Sequence, residues 1–200
     1  MLDAHGRKHF DLLFDRTASC FLVWGLNPNQ VTAAALAVGL CSGLTLYLGF
    51  PLPAVALLWL SGFLDAVDGS MARQSETSSL TGALFDIVSD RIVELSIFWA
   101  LALLYPGCLY AMLGLLTAVL LSMTVFLTTG MLVDKTSGKS FYYQAGLMER
   151  TEGFIASSLM MLLPQWLTPL AWLYTALIGV TVVQRLAEAV RLLNQQKHEV

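Results

Sequence analysis

The stretch Phe63–Arg91, FLDAVDGSMARQSETSSLTGALFDIVSDR, sets four aspartates, Asp65, Asp68, Asp86 and Asp90, inside a chain otherwise made of apolar runs. If the residues up to Arg73 are helical, Asp65, Asp68, Gly69 and Ala72 stand at i, i+3, i+4 and i+7 and share one face. In the helix that follows, Gly82, Asp86, Asp90 and Glu94 recur every four residues and form a second stripe. Two short-looped neighbours can turn these stripes toward each other. The interposed small residues let another group approach the backbone closely.

Around this stretch the composition is that of lipid-embedded protein. Of 200 residues, 56% are hydrophobic and 12% charged, and the mean hydropathy is +0.68. Apolar runs fall at Val31–Phe50, Pro51–Leu64, Leu95–Tyr105, Leu109–Val133, Phe154–Leu163 and Leu170–Val183. Each is completed to the roughly 20 residues of a membrane span by a neighbouring polar half-helix. The expectation is an all-α polytopic membrane protein with six transmembrane helices. A helix over 5–22 carries Phe10, Leu13, Phe14 and Phe21 at near-helical spacing, with Asp11, Asp15 and Arg16 between them. It reads as an amphipathic helix on the membrane surface rather than a signal peptide. With Pro28 breaking the chain and Asn29 or Gln30 leading into the first span, 28–190 forms the six-helix bundle. No repeat or long linker divides residues 1–200, so one domain is expected.

Basic residues fix the expected orientation. Arg7, Lys8, Arg16, Arg73, Lys135, Lys139, Arg150, Arg191 and Lys197 fall in the N-terminus, the second and fourth connections and the C-terminus. Connections around Gly49–Pro53, Tyr105–Gly107 and Pro164–Pro169 carry none. Both termini are therefore expected in the cytoplasm. Tyr47, Phe50, Tyr105, Tyr110, Trp166 and Trp172 suit the opposite interface. Cys20, Cys41 and Cys108 have neither paired nor metal-ligand spacing and read as small apolar residues. His5, His9 and His198 lie in terminal segments without ligand partners.

Four carboxylates gathered in a partly desolvated cleft repel one another unless cations neutralise them or some take up protons. Oxygen ligands favour Mg²⁺, Mn²⁺ or Ca²⁺, and no nearby Cys or His offers an alternative. Two ions about 4 Å apart suit phosphoryl transfer. Arg73 ends the first acidic helix, and Ser78 or Ser79 can cap the second, whose N-terminal N–H groups attract phosphate oxygens. These parts describe a diphosphate site.

The pattern Asp65-x₂-Asp68-Gly69-x₂-Ala72-Arg73-x₈-Gly82-x₃-Asp86-x₃-Asp90 resembles, at every defined position, the signature of the CDP-alcohol phosphotransferases. Chain length, six spans, the preceding surface helix and PNQVT at Pro28–Thr32 are similar to that family too. The resemblance implies that Asp65, Asp68 and Asp86 ligate two divalent cations, Mg²⁺ or Mn²⁺. Asp90 would complete the second metal site and act as the catalytic general base. Asp65, Gly69, Ala72, Arg73, Ser79 and Gly82 would contact a CDP-linked lipid such as CDP-diacylglycerol, with Asn29 and Thr32 near the nucleotide. It further implies phospholipid biosynthesis in a homodimer among membrane lipids, in a prokaryotic-type cytoplasmic membrane with the active site facing the cytoplasm. No nucleic-acid partner is expected.

Transfer to a small polar alcohol would release CMP. GLMERTE at Gly146–Glu152 is similar to the segment of members that use inositol phosphate, and Lys135, Arg150 and Arg185 are candidate acceptor-binding cations, with Lys139 a fourth. Glycerol 3-phosphate, serine or another alcohol is the alternative acceptor. Arg91 and Glu94 can pair with each other or with the cluster. A cation-coupled transporter also places carboxylates in a membrane, but it needs polar residues reaching both faces, and here the non-cytoplasmic half is nearly bare of them. Intramembrane prenyltransferases draw their aspartate motifs from distant helices of longer chains.

Overall fold

Helix starts follow side-chain chemistry. Asn27 Oδ1 accepts from the Gln30 backbone N–H at 3.0 Å, and Gln30 Oε1 accepts from the Asn27 backbone N–H at 3.0 Å. This reciprocal cap opens a helix at Pro28, one residue before the expected lead-in, because proline fits the first helical position without losing a hydrogen bond. Ser79 performs the same service later: its Oγ accepts from the Gly82 N–H at 3.0 Å.

The computed structural model describes residues 2–132 and 146–196, with side chains for 11–132 and 146–194. Among the described residues there are seven α-helices and no strand: α1 Leu2–Val23, α2 Pro28–Tyr47, α3 Pro51–Gln74, α4 Leu80–Leu104, α5 Leu109–Leu132, α6 Arg150–Leu162 and α7 Leu167–Gln196. Single 3₁₀ turns at Pro106–Cys108 and Pro164–Trp166 lead into α5 and α7. The all-α expectation is met.

Among the described residues, four stretches are long and apolar enough to cross a membrane: α2, α3, Pro106–Leu132 and Pro164–Asn194. The chain is a membrane protein. By composition α4 falls short because it carries Asp86, Asp90, Arg91 and Glu94. The 13 residues of α6 fall short by length, since at 1.5 Å per residue they span only about 20 Å.

Between α3 and α4 runs α2, which packs closely against both. Small residues permit this: Gly39 lies hard against Val93, and a Cβ on Gly43 would stand 2.6 Å from Ser96 Oγ. Buried hydroxyls join α2 to α3, with Ser42 donating to Ala54 O and Ser61 to Ala35 O, both at 2.7 Å. Leu58, Ile97, Phe98, Leu101, Met112, Leu115 and Met160 fill the core beyond, and α5 packs along α7.

One face of α1 is covered by protein rather than left to the membrane surface. Ala18 is fully buried, the Phe14 and Phe63 rings lie 5.6 Å apart, and Gln74 Nε2 donates to Asp15 O at 3.0 Å. Leu12 and Leu13 stay exposed on its other side. At the opposite ends of the spans from the aspartates, Tyr47, Phe50, Tyr105, Tyr110, Trp166 and Trp172 are all exposed.

Candidate active site

The two acidic stripes converge. One carboxylate oxygen from each of Asp65, Asp68 and Asp86 lies within 4.8 Å of the others. The three come from α3 and α4, and the shared support of α2 brings their faces together. Asp65 and Asp68 are buried and Asp86 is half-buried. Asp68 Oδ2 and Asp86 Oδ1 are buried without a hydrogen-bond partner. Such an oxygen is costly to hold away from water, and a cation is the group that offsets it. With three carboxylates and no nitrogen or sulfur donor among them, the cluster fits a hard divalent ion.

Asp90 is engaged differently. Arg150, the first residue of α6, donates from Nη2 to Asp90 Oδ1 at 2.7 Å and from Nη1 to Asp65 Oδ2. Its guanidinium thus bridges α3 and α4 inside the carboxylate cluster, and it lies 5.8 Å from the Phe154 ring centre. The sequence reading assigns Arg150 to an acceptor phosphate; the structure brings it onto the aspartates. Arg91 pairs with Glu94, the first of the two arrangements open to them, and Tyr174 of α7 lies beside Glu94.

The residues expected around the nucleotide fall into two groups flanking the carboxylates. A Cβ on Gly82 would stand 3.1 Å from Ser79 Oγ and 3.4 Å from Asn29 Oδ1, so the starts of α2 and α4 meet there. Thr32 is buried one turn into α2, bonded to Pro28 O at 3.1 Å, and lies beside Asp68. On α3, Arg73 Nη1 lies 3.5 Å from where a Gly69 Cβ would be, and Arg73 Nη2 donates to Ser70 Oγ at 2.8 Å. Ala72 is half-buried on the same helix. Beside the Asn29 group opens a groove of about 300 Å³ lined by Leu22, Leu26, Asn27, Pro28, Asn29, Ser75 and Thr77.

Of the acceptor candidates, Lys135 lies outside the described residues, as does Lys139. Arg185 is buried on α7, where Nη1 donates to Ser122 Oγ at 3.1 Å and the guanidinium lies 5.0 Å from the Phe126 ring centre. Two neighbours were missed by the sequence reading. Thr181 and Gln184 share its face of α7 and accept backbone N–H groups just before α6, from Met148 at 3.0 Å and Leu147 at 3.2 Å. The signal was present as three polar residues at i, i+3 and i+4 in an apolar helix.

The sequence profile of CDP-alcohol phosphatidyltransferases matches residues 25–183. The chain belongs to that family. This CDP-alcohol phosphatidyltransferase is an enzyme, a membrane transferase of phospholipid biosynthesis. It is 29% identical over 197 residues to the phosphatidylinositol phosphate synthase of Corynebacterium glutamicum, covering 94% of this chain and 89% of that one. To an inner membrane protein of Escherichia coli it is 30% identical, covering 92% and 93% of the two chains. The fold matches the crystal structure of Mycobacterium tuberculosis phosphatidylinositol phosphate synthase with CDP-DAG bound, with a TM-score of 0.73 at 22% identity over 88% of this chain and 92% of that one. The same mycobacterial enzyme in complex with manganese and citrate matches with a TM-score of 0.72 at 24% identity, over 88% of each chain.

Proposed function

We propose that this enzyme transfers a phosphatidyl-type group from a CDP-linked lipid to the hydroxyl of inositol phosphate, releasing CMP. The observation that carries this reading is the meeting of Asp65, Asp68 and Asp86, with two buried oxygens lacking donors, directly beside the guanidinium of Arg150. The carboxylates suit a cation-bound diphosphate, and an arginine next to them suits a second phosphate on the acceptor. The name of the Corynebacterium relative, a phosphatidylinositol phosphate synthase, supports the choice of acceptor.

In this reading Asp65, Asp68 and Asp86 hold two divalent cations, Mg²⁺ or Mn²⁺, with Asp90 completing the second position. Bound there, such ions supply electrostatic stabilisation to the diphosphate and to charge developing on its oxygens. The donor lies along the groove beside Asn29, with Thr32, Gly69, Ala72, Arg73 and Gly82 around its CDP portion. The helix end capped by Ser79 offers N–H groups to phosphate oxygen. Asp90 takes the proton from the acceptor hydroxyl. The freed oxygen attacks the phosphorus bearing the lipid alcohol, a new P–O bond forms, and the P–O bond to CMP breaks. Arg150, with Lys135 and Arg185, binds and orients the acceptor phosphate.

The same reading has α2–α7 all crossing the membrane in one bundle, in a homodimer, with both termini and the active site on the cytoplasmic side. In support, of the charges that disqualify α4 by composition, Asp86 and Asp90 lie in the site and Arg91 and Glu94 pair with each other, which makes them tolerable in a span. Arg73 and Arg150 lie at the same end of the bundle as the aspartates.

The test is CMP release by purified protein given CDP-diacylglycerol, Mg²⁺ or Mn²⁺, and in parallel inositol phosphate, glycerol 3-phosphate, serine and free inositol. Turnover should require the metal and be fastest with inositol phosphate. Metal-independent release, equal use of the acceptors that lack a phosphate, or full activity in Asp90→Asn would overturn the proposal.

A further inference from the structure

The helix that carries Arg150 has no side-chain cap of its own: Glu149 occupies the N-cap position of α6 without making a side-chain cap hydrogen bond. The turn that leads into this helix is held from outside instead, by α7. Met148 N–H is accepted by Thr181 Oγ1 at 3.0 Å, and Leu147 N–H by Gln184 Oε1 at 3.2 Å. Thr181 is fully buried, and its hydroxyl donates in turn to Leu177 O at 3.2 Å, which fixes the oxygen lone pairs toward Met148. Gly146 sits hard against the Thr181 methyl group, with no space for a Cβ. From this anchored turn Arg150 reaches back across the bundle to Asp65 and Asp90.

We propose that Thr181 and Gln184 are positioning residues for acceptor binding: they clamp the turn Gly146–Glu149 to α7 and thereby set where the Arg150 guanidinium stands. Neither touches the carboxylates. They act through the backbone of the residues preceding Arg150, and a guanidinium on a long side chain is only as well placed as its Cα. This rests on the reading of Arg150 as an acceptor-phosphate ligand. The donor site on α2, α3 and α4 does not involve the clamp, so the two substrates should respond differently to its loss.

Two pairs of variants separate positioning from general stability. Thr181→Val keeps shape and the methyl contact with Gly146 but removes the acceptor; Thr181→Ser keeps the acceptor. Gln184 is exposed, so Gln184→Ala is tolerated by the fold, and Gln184→Glu retains an acceptor oxygen. Initial rates are measured with CDP-diacylglycerol and inositol phosphate, varying each in turn. Thr181→Val and Gln184→Ala should each raise KM for inositol phosphate by about fivefold, the worth of one hydrogen bond, with KM for the donor unchanged. Thr181→Ser and Gln184→Glu should restore acceptor KM to near the wild-type value. Unchanged acceptor KM in Thr181→Val and Gln184→Ala, or parallel changes in both substrates, overturns the clamp. The Arg150 reading fails separately: Arg150→Ala would then leave acceptor KM unaltered, whatever the Thr181 variants do.

Discussion

The two sides of this active site are built on opposite plans. On the α3–α4 side, every candidate metal ligand comes from one continuous stretch, and the helical repeat alone places Asp65 and Asp68 on one face and Asp86 and Asp90 on the next. On the α6–α7 side, Arg150 stands on a short helix whose start is held by residues more than thirty positions later, and it crosses to two other helices to find its partners. The first side is specified by local spacing, the second by tertiary assembly. Damage on the first side should therefore be felt by every acceptor alike, and damage on the second should discriminate among them.

The largest effect tests the first half of that contrast. Asp68→Asn and Asp86→Asn remove charge where a buried oxygen already lacks a donor, and each should lower kcat/KM on the order of 10³-fold, to the same extent for charged and uncharged acceptors. A chelator should abolish CMP release from the wild type, and added Mg²⁺ or Mn²⁺ should restore it. A loss that varied with the acceptor would break the division between the two sides.

Arg150→Ala probes the other half and should also change stability. In the metal-free protein the guanidinium neutralises Asp65 and Asp90, and its removal leaves two carboxylates facing each other. Breaking a fully buried pair costs about 3–5 kcal/mol, but the Arg150 and Asp90 side chains are 33% and 27% exposed, so a loss of about 1–2 kcal/mol is expected here. Thermal unfolding measures it, and divalent metal should raise the Tm of Arg150→Ala more than that of the wild type. Acceptor KM should rise roughly 10- to 100-fold, as for a lost bond to a charged group. Arg150→Lys should rescue little, because an ammonium cannot bridge two carboxylates through a planar fork.

The same division explains what could be read from the amino-acid order. The acidic stripes, the Ser79 cap and the all-helical architecture follow from spacing within one helix or across one turn, and periodicity exposes such features. That α2 runs between α3 and α4 is different in kind: it depends on Gly39 and Gly43 meeting Val93 and Ser96, contacts between residues far apart in the chain. Thr181, Gln184 and Arg185 stand out as a polar stripe on α7, but that Thr181 grips Met148 is hidden for the same reason, since periodicity does not name a partner 33 residues away. Pro28 shows the limit at short range. A proline reads as a break, yet behind the Asn27 cap it begins the helix.

The smallest effect sharpens the donor side. Ser79→Ala removes the oxygen that accepts the Gly82 N–H, and a lost cap costs about 1 kcal/mol, so the Tm should fall by a few degrees at most. Freed from Ser79, the first turn of α4 frays beside Asn29, and KM for the CDP-linked lipid should rise a few-fold. Gly82→Ala reaches the same place by crowding, because the new Cβ stands 3.1 Å from Ser79 Oγ and 3.4 Å from Asn29 Oδ1. In both variants KM for inositol phosphate should stay at the wild-type value, since Arg150 and its clamp do not touch this end of α4. Should acceptor KM move together with donor KM in Ser79→Ala, the start of α4 serves both substrates, and the line between the two sides must be redrawn through α4 rather than beyond it.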